Sequence, residues 1–379
     1  MIWLFLISAA GLLYVACVYP LLLGVLTRLT GKAVRREFSP RTVSILVPVH
    51  NGAPFLRRKL ESILALDYPV DRMEILVVSD GSEDETDQIA QEFAPRGVRW
   101  LRVPRGGKAA AINAGCAQLR NEILLLTDVR QPLAPDSLKN LIANFADPAT
   151  GVVSGELLIV RGETQEEVDI GRYWRFESWI RRSLSHIGST IGATGPFYAI
   201  RRELVVSIPP DVLLDDVYLP LGAFFRGRRL LVDPSARAYD YPTSLHSEFR
   251  RKVRTLAGNY QLLRYYPRLM VPNHGLWFHF VSYKLGRLVL PFGLIALGVS
   301  SVGLPKPWQE IALGMQAIFY TLAALDPVLP ARAPGKALAS AARTFVVMMA
   351  AALCAISILF VPARTLWKQT TVRLTRDAK

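Results

Sequence analysis

The chain has 379 residues, of which 51% are hydrophobic and 20% charged, with a formal net charge of +14. That length holds one large domain or two ordinary ones, and the apolar share exceeds that of an ordinary soluble domain. There is no basic stripe with interleaved aromatics and no zinc spacing, so the charge speaks against nucleic acid as a partner and for a surface facing anionic lipid.

No charged residue precedes Arg28. Residues 1–27 are thus long enough, at about 1.5 Å per residue, to cross a hydrocarbon core of about 30 Å. A secretory signal peptide is the competing reading, but a basic n-region is missing and the apolar stretch is too long. Arg28, Lys32, Arg35 and Arg36 follow at once, in a basic linker over 28–42. By the positive-inside rule they put the next domain in the cytoplasm, which makes this an integral membrane protein.

From Val43 the pattern alternates. Apolar runs at Val43–Val49, Met73–Ser79, Val98–Val103 and Glu122–Thr127 precede helical segments at Phe55–Leu66, Asp84–Phe93, Lys108–Leu119 and Pro135–Phe145, and Val152–Val160 adds a strand. Continuous rather than alternating apolar runs between helices predict an α/β domain over 43–240, with a mostly parallel, Rossmann-like sheet covered on both faces. An amphipathic helix through Trp179, a loop at Gly192–Pro196 and a helix from Asp215 through Phe225 follow. Residues 241–275 read as amphipathic, interfacial helices, with basic and aromatic residues mixed through Glu248–Tyr266. Residues 276–365 hold three further apolar stretches, about Leu288–Gly303, Ile311–Leu325 and Thr344–Pro362, and 366–379 form a basic tail. Cys17, Cys116 and Cys354 imply no disulfide framework and no metal spacing.

Three aspartate sites, Asp80, Asp128 and the pair Asp215–Asp216, sit at the ends of apolar runs, and open α/β sheets bind ligands at the carboxyl ends of strands. Asp80 closes one apolar run and opens DGSEDET; it either accepts hydrogen bonds from a ligand or caps the next helix. Lys108, in RGGKAAAIN, stands at a glycine-led helix start that can hold phosphate, although the spacing is not that of a Walker loop. Asp128 in TDVRQ can take part in metal coordination, while Arg130 offers a planar fork to a diphosphate, or the two form a loop ion pair. Asp215 and Asp216, in LLDDVYLPL, are adjacent acids in apolar company. They raise one another's pKa, as a general base near neutrality requires, unless they merely start a helix.

Taken in order, these residues resemble the membrane-bound family 2 glycosyltransferases, the group with hyaluronan, chitin and cellulose synthases and ceramide glucosyltransferase. VPVHNG, with Pro48, His50 and Asn51, looks like the family's opening strand and nucleotide loop, with Gly52 in place of the common glutamate. SDGSEDET supplies Asp80, and GGKAAAIN resembles the GKxxALN segment through Lys108 and Asn113. TDVRQ falls at the metal-binding Asp-x-Asp: Asp128 matches the first acid and Arg130 replaces the second. LDDVYL resembles the TED segment, which makes Asp216 the base and Asp215 its acidic neighbour. RRKVRT falls at QxxRW, with Arg254 on the arginine and Arg251 on the glutamine, an acceptor or product site.

The resemblance implies a GT-A fold and an inverting transfer from a UDP-sugar to a lipid or polysaccharide acceptor at the bilayer. Export partner proteins can accompany it. Magnesium or manganese at Asp128 is the family's cofactor, a site that Arg130 in place of the second acid puts in question; Arg130 with Lys108 is expected to supply part of the diphosphate's neutralisation. Two other classes compete: a transporter, for which Asp326 alone offers an ionisable residue near a membrane segment, and a catalytically impaired nucleotide-binding scaffold of an export complex. Arg364, Lys368, Arg373, Arg376 and Lys379 favour a cytoplasmic tail, whereas three crossings after the domain place it outside. The stretch Tyr283–Gly303, interrupted by Lys284, Arg287 and Pro291, is the candidate for an interfacial or re-entrant segment that reconciles the two.

Overall fold

The computed structural model describes residues 1–159, 165–241, 245–330 and 333–366, with the backbone alone for 165–173. The chain divides into two compact units: Thr27–Val160 with Ser178–Asp240, and Met1–Leu26 with Arg161–Glu177 and Tyr241–Lys379.

The first unit is built on seven strands: β1 (Val43–Val49), β2 (Met73–Asp80), β3 (Val98–Val103), β4 (Ile123–Thr127), β5 (Thr150–Ile159), β6 (Phe197–Arg201) and β7 (Arg229–Asp240), in the order β3-β2-β1-β4-β6-β5-β7. β1 is buried at every position, as a continuous apolar run covered on both faces should be. It runs parallel to β2 and β4, with Val49 opposite Ser79 and Leu46 opposite Leu126. The loops after β1, β2 and β4 therefore leave the same edge of the sheet. β6 runs antiparallel to β4, Thr127 facing Phe197, so the segment before β6 arrives at that edge too. Leu56, Leu60 and Ile63 of the helix Ala53–Leu64 and Leu138, Leu141 and Ile142 of the helix Ser137–Ala143 pack into the core with Ile45, Val47 and Leu125.

The expected α/β sheet is present, mixed and mostly parallel. β6 and β7 are additions to the expectation. FYAIR of β6 is too short to announce itself. β7 alternates in burial over its second half and carries Pro234, which reads against a strand. Pro234 is tolerated because β7 is an edge strand and lies where its register with β5 shifts, between Val232 and Arg237. The basic linker 28–42 is likewise more than a spacer. The Lys32 N–H donates to the His186 carbonyl at 2.9 Å and the Glu37 N–H to the Ala143 carbonyl at 3.0 Å. Arg36 pairs with Asp233 at 3.2 Å and Arg41 pairs with Glu122. Part of its charge thus serves the domain rather than lipid.

Among the described residues four helices are long and apolar enough to cross a membrane: Ile2–Leu29, all but the last turn of which lies in the second unit, and Trp277–Ser301, Trp308–Val328 and Lys336–Leu359 within it. Their outward residues include Trp3, Ile7, Leu21, Val299, Met315 and Ile318, all more than half exposed, a surface suited to hydrocarbon rather than water. Inward contacts use small and hydroxyl residues: a Cβ on Gly286 would meet Val15 at 3.0 Å, and Tyr14 Oη lies 2.7 Å from Ser282 Oγ. Trp277–Ser301 runs as one helical stretch through Lys284, Arg287 and Pro291, with Arg287 bonded to Glu177 and to Tyr283 Oη. The basic tail from residue 367, including Lys368, Arg373, Arg376 and Lys379, lies outside the described residues. Asp326, the ionisable residue a transporter would use, is neutralised by Lys336 at 2.8 Å and Arg343 at 3.2 Å. The amphipathic helix Leu245–Tyr265 buries Glu248, Lys252, Leu256, Asn259 and Leu262 at helical spacing, and it packs against Lys336–Cys354.

Candidate active site

The turn after β1 is set by Asn51, the one described non-glycine residue with positive φ, at 49°. Its Oδ1 accepts from the Glu83 N–H at 2.8 Å, and its own N–H donates to Ser82 Oγ at 3.1 Å. His50 Nδ1 donates to the Asp80 carbonyl at 2.9 Å, while Pro48 is buried within β1 against Val78. The loops after β1 and β2 are thereby fastened to each other.

Asp80 ends β2 at 2% exposure. Its carboxylate accepts from the N–H groups of Gly106 at 2.7 Å and Gly107 at 3.0 Å and pairs with Arg105. Asp80 therefore fixes the glycine turn that launches the helix Lys108–Gln118, and does not cap the helix of its own loop. Gly107, at φ 87°, occupies a conformation that a side chain resists. Asn113, one turn further along, is engaged at both ends: Nδ2 donates to the Ile208 carbonyl at 2.8 Å and Oδ1 accepts from its N–H at 2.9 Å. Its contacts anchor the helix.

Lys108 is the centre of the arrangement. Its Nζ lies 3.0 Å from Asp128 Oδ1 and 3.1 Å from Asp215 Oδ1, joining the end of β4 to the start of the helix Asp215–Phe224. Burial pulls this ammonium down, but the Asp128, Asp215 and Asp216 carboxylates outweigh it and hold its pKa above the ordinary value. Asp215 is 6% exposed, and its Oδ2 is buried with no hydrogen-bond partner. Burial, and then the neighbouring Asp215, raise Asp216 to about 6 against the pull of Lys108 and Arg181. Both acids stand in the first turn of their helix, where its dipole favours negative charge.

The Gly192–Pro196 loop supports this pair. The Ala193 N–H donates to the Asp216 carbonyl at 2.7 Å, and a Cβ on Gly195 would come within 2.9 Å of Asp216 Oδ2. Gly195→Ala should therefore displace Asp216 and lower kcat by about 10-fold or more with little change in melting temperature. Unchanged kcat would show that the loop's approach to Asp216 has no part in turnover.

Arg130 turns to Asp240, with Nη2 2.7 Å from Asp240 Oδ2, and Gln131 Nε2 donates to the same oxygen at 3.0 Å. The acid expected two residues after Asp128 is thus a cation held by the last residue of β7. Beside Asp128 stands an ammonium, and among the described residues no three His, Cys, Asp or Glu side chains come together as a metal-holding group. The groups around Asp128 do not make a complete divalent-ion site. Arg251, in the other unit, bonds to Glu248 at 3.0 Å and covers the Trp174 ring at 4.4 Å; Arg254 is one turn away on the same helix.

Sequence reasoning passed over Lys59, Arg105, Tyr198 and Asp240. Lys59 alone carried a signal, a charge on the apolar stripe of Leu56, Leu60 and Ile63. Tyr198 sits wholly buried in β6, and burial followed by Asp215 and Asp216 raises its hydroxyl pKa well above normal. Arg105 comes to Asp80, and Asp240 to Arg130, through turns and strand pairings that no spacing encodes.

A mixed sheet with an acid cluster at the carboxyl edge of its parallel strands places that cluster where open α/β sheets bind ligands. Residues 44–208 match the family described as Glycosyl transferase family 2. The match covers less than half of the chain, and that segment is similar to the members of this family. The chain is 24% identical to the beta-monoglucosyldiacylglycerol synthase of Synechocystis over 75% of its length and 64% of that protein's. To the poly-beta-1,6-N-acetyl-D-glucosamine synthase of Staphylococcus epidermidis it is 24% identical, over 67% of this chain and 61% of the other. The chain thus spans less than two thirds of these curated relatives. Among solved structures, a mannosyltransferase of Pyrobaculum calidifontis in complex with GDP-Man and Mn2+ shares the fold, with a TM-score of 0.74 at 21% identity, over 94% of this chain and 98% of that one.

Proposed function

We propose that this chain is a glycosyltransferase that moves a sugar from a nucleotide-sugar, most simply a UDP-sugar, to a membrane-associated acceptor by a single inverting displacement. The observation that carries the reading is the meeting of Asp128, Asp215 and Asp216 around Lys108. The acceptor hydroxyl attacks the anomeric carbon. The bond from that carbon to the diphosphate oxygen breaks, its electron pair leaves with the nucleoside diphosphate, and Asp216 takes the hydroxyl proton. Burial, and then Asp215, keep Asp216 basic enough for the task by raising its pKa towards neutrality.

His50, Asn51 and Asp80 shape the nucleotide side of the site, Asp80 through the turn that presents Lys108. Lys108, with Arg130 steadied by Asp240, supplies positive charge to the leaving diphosphate, the kind of electrostatic help that is usually a large catalytic term. Asp128 is the carboxylate that would meet a magnesium or manganese ion arriving with the donor. The acceptor is a lipid or a growing polysaccharide, in keeping with the names of the two relatives, and Arg251 and Arg254 belong to its side. The catalytic unit faces the cytoplasm beside the bilayer, with export proteins as partners if the product is a polymer.

Membranes carrying the protein, incubated with a panel of radiolabelled nucleotide-sugars, should give labelled lipid or polymer from one donor. No incorporation from any donor would overturn the reading. With that donor, turnover in EDTA should stay above about a tenth of that in Mn2+ or Mg2+, because lysine and arginine charge stands at the diphosphate. Complete loss in EDTA, with Arg130→Ala nearly silent, would move the charge to a metal at Asp128.

A further inference from the structure

Lys59 has no place in the reaction as described so far. It lies on the apolar stripe of its helix and is 0% exposed. A lysine on such a stripe ordinarily runs its stem along the surface and keeps its ammonium in water. This ammonium is enclosed, donating to Thr127 Oγ1 at 2.6 Å and to the Gln131 carbonyl at 2.5 Å. Both acceptors are neutral, and among the described residues no carboxylate lies within ion-pair distance of it. Burying a cation on neutral partners is costly, and a methionine would fill the same space without that cost.

The position of the two acceptors gives the charge a use, because they flank Asp128. The bonding also continues beyond them. Since an ammonium can only donate, the Thr127 hydroxyl accepts from it and passes its own proton on, to the Pro196 carbonyl at 2.8 Å. The Asp128 N–H donates to the same carbonyl at 3.2 Å. Pro196 follows Gly195, which abuts Asp216. One buried lysine head therefore fastens both the turn that carries Asp128 and the loop that backs Asp216; burial pulls its pKa down to about 7, and Asp128 is the charge that favours its protonated form against that pull.

Resting on the glycosyl-transfer reading, we propose that Lys59 is a positioning residue: it holds the Asp128 turn and the Gly192–Pro196 loop in register and puts positive charge behind the acid cluster. When Lys108 turns to the diphosphate, Lys59 remains as the cation behind Asp128. Asp216 is faced by Asp215 from its own helix, Lys108 from the helix after β3, Arg181 from Gln165–Ile187 and Asp128 from the end of β4. Removing a cation behind Asp128 makes this surrounding more negative.

The test compares the full-length protein with Lys59→Met, which keeps the length and loses the charge, and with Thr127→Val, which breaks the chain of bonds and leaves the ammonium. Melting temperature, Kd for UDP and GDP, kcat and its pH profile are measured on each. In Lys59→Met, kcat should fall roughly 10- to 100-fold with Kd within about 3-fold, and the acidic limb of the profile should move to higher pH. In Thr127→Val, kcat should fall about 3- to 10-fold without movement of the limb. Wild-type kcat and limb in a folded Lys59→Met would overturn the proposal; should that variant not fold, wild-type kcat in Thr127→Val would do so. Failure of the transfer reading itself would look different, as wild-type protein that turns over no nucleotide-sugar.

Discussion

Asp216→Asn is expected to lower kcat by about 10³-fold, roughly 4 kcal/mol, while Kd for the nucleoside diphosphate stays within about 3-fold. Asparagine keeps the shape of the side chain, so the helix start and the Ala193 bond to the Asp216 carbonyl survive. What it loses is the ability to take a proton. The wild-type profile of kcat should rise through pH about 6 as Asp216 ionises, and the variant should show no such rise. Stability separates this loss from unfolding. A carboxyl whose pKa is higher in the folded chain than in the unfolded one holds its proton more tightly when folded, so its ionisation costs stability as pH rises through about 6. Asparagine removes that cost, and melting temperature at pH 7 to 8 should not fall. Full turnover in a folded Asp216→Asn would remove Asp216 as the base.

Lys108→Met should be nearly as damaging, with kcat/KM down by about 10²-fold or more and nucleoside diphosphate binding weakened, because one ammonium both balances the acids and faces the phosphates. Without it, Asp128, Asp215 and Asp216 confront one another with less compensation. Asp216 would then rise above its present pKa of about 6, and the acidic limb of kcat should shift upward. Melting temperature should fall at neutral pH, where the acids are ionised, and recover as acidification neutralises them. Calorimetric titration of UDP and GDP with kcat/KM across pH 5 to 9 measures all of this. A loss of stability with kcat/KM intact would reduce Lys108 to a structural counterion.

The parallel half of the sheet was legible because β1, β2 and β4 are buried on both faces and leave uninterrupted apolar runs. For the same reason Asp80 and Asp128 stood out, as acids ending runs that tolerate none. β6 and β7 were not legible: one is five residues long, and the other is an edge strand with a proline at its irregularity. Within the site, the identities of Lys108, Asp128, Asp215 and Asp216 could be read, but not their meeting at one ammonium. That meeting depends on the antiparallel insertion of β6, which brings the Gly192–Pro196 loop to the acid-bearing edge. Arg130 and Asn113 show the limit from the other side: Asp240 and Ile208, their partners, lie about a hundred residues away.

A protein confined to two dimensions meets its own copies far more often than one in bulk, and an unfinished sheet rim invites them to pair backbone to backbone. Here both rims are blunted. At one end Pro234 and the shifted register deny a newcomer a straight ladder; at the other, β3 carries the half-exposed arginines Arg99 and Arg102, occupied with Glu74 and Asp87. Were the apolar helices to hold the chain in a bilayer, crowding there should leave its sheets separate, and self-association would have to come from other surfaces.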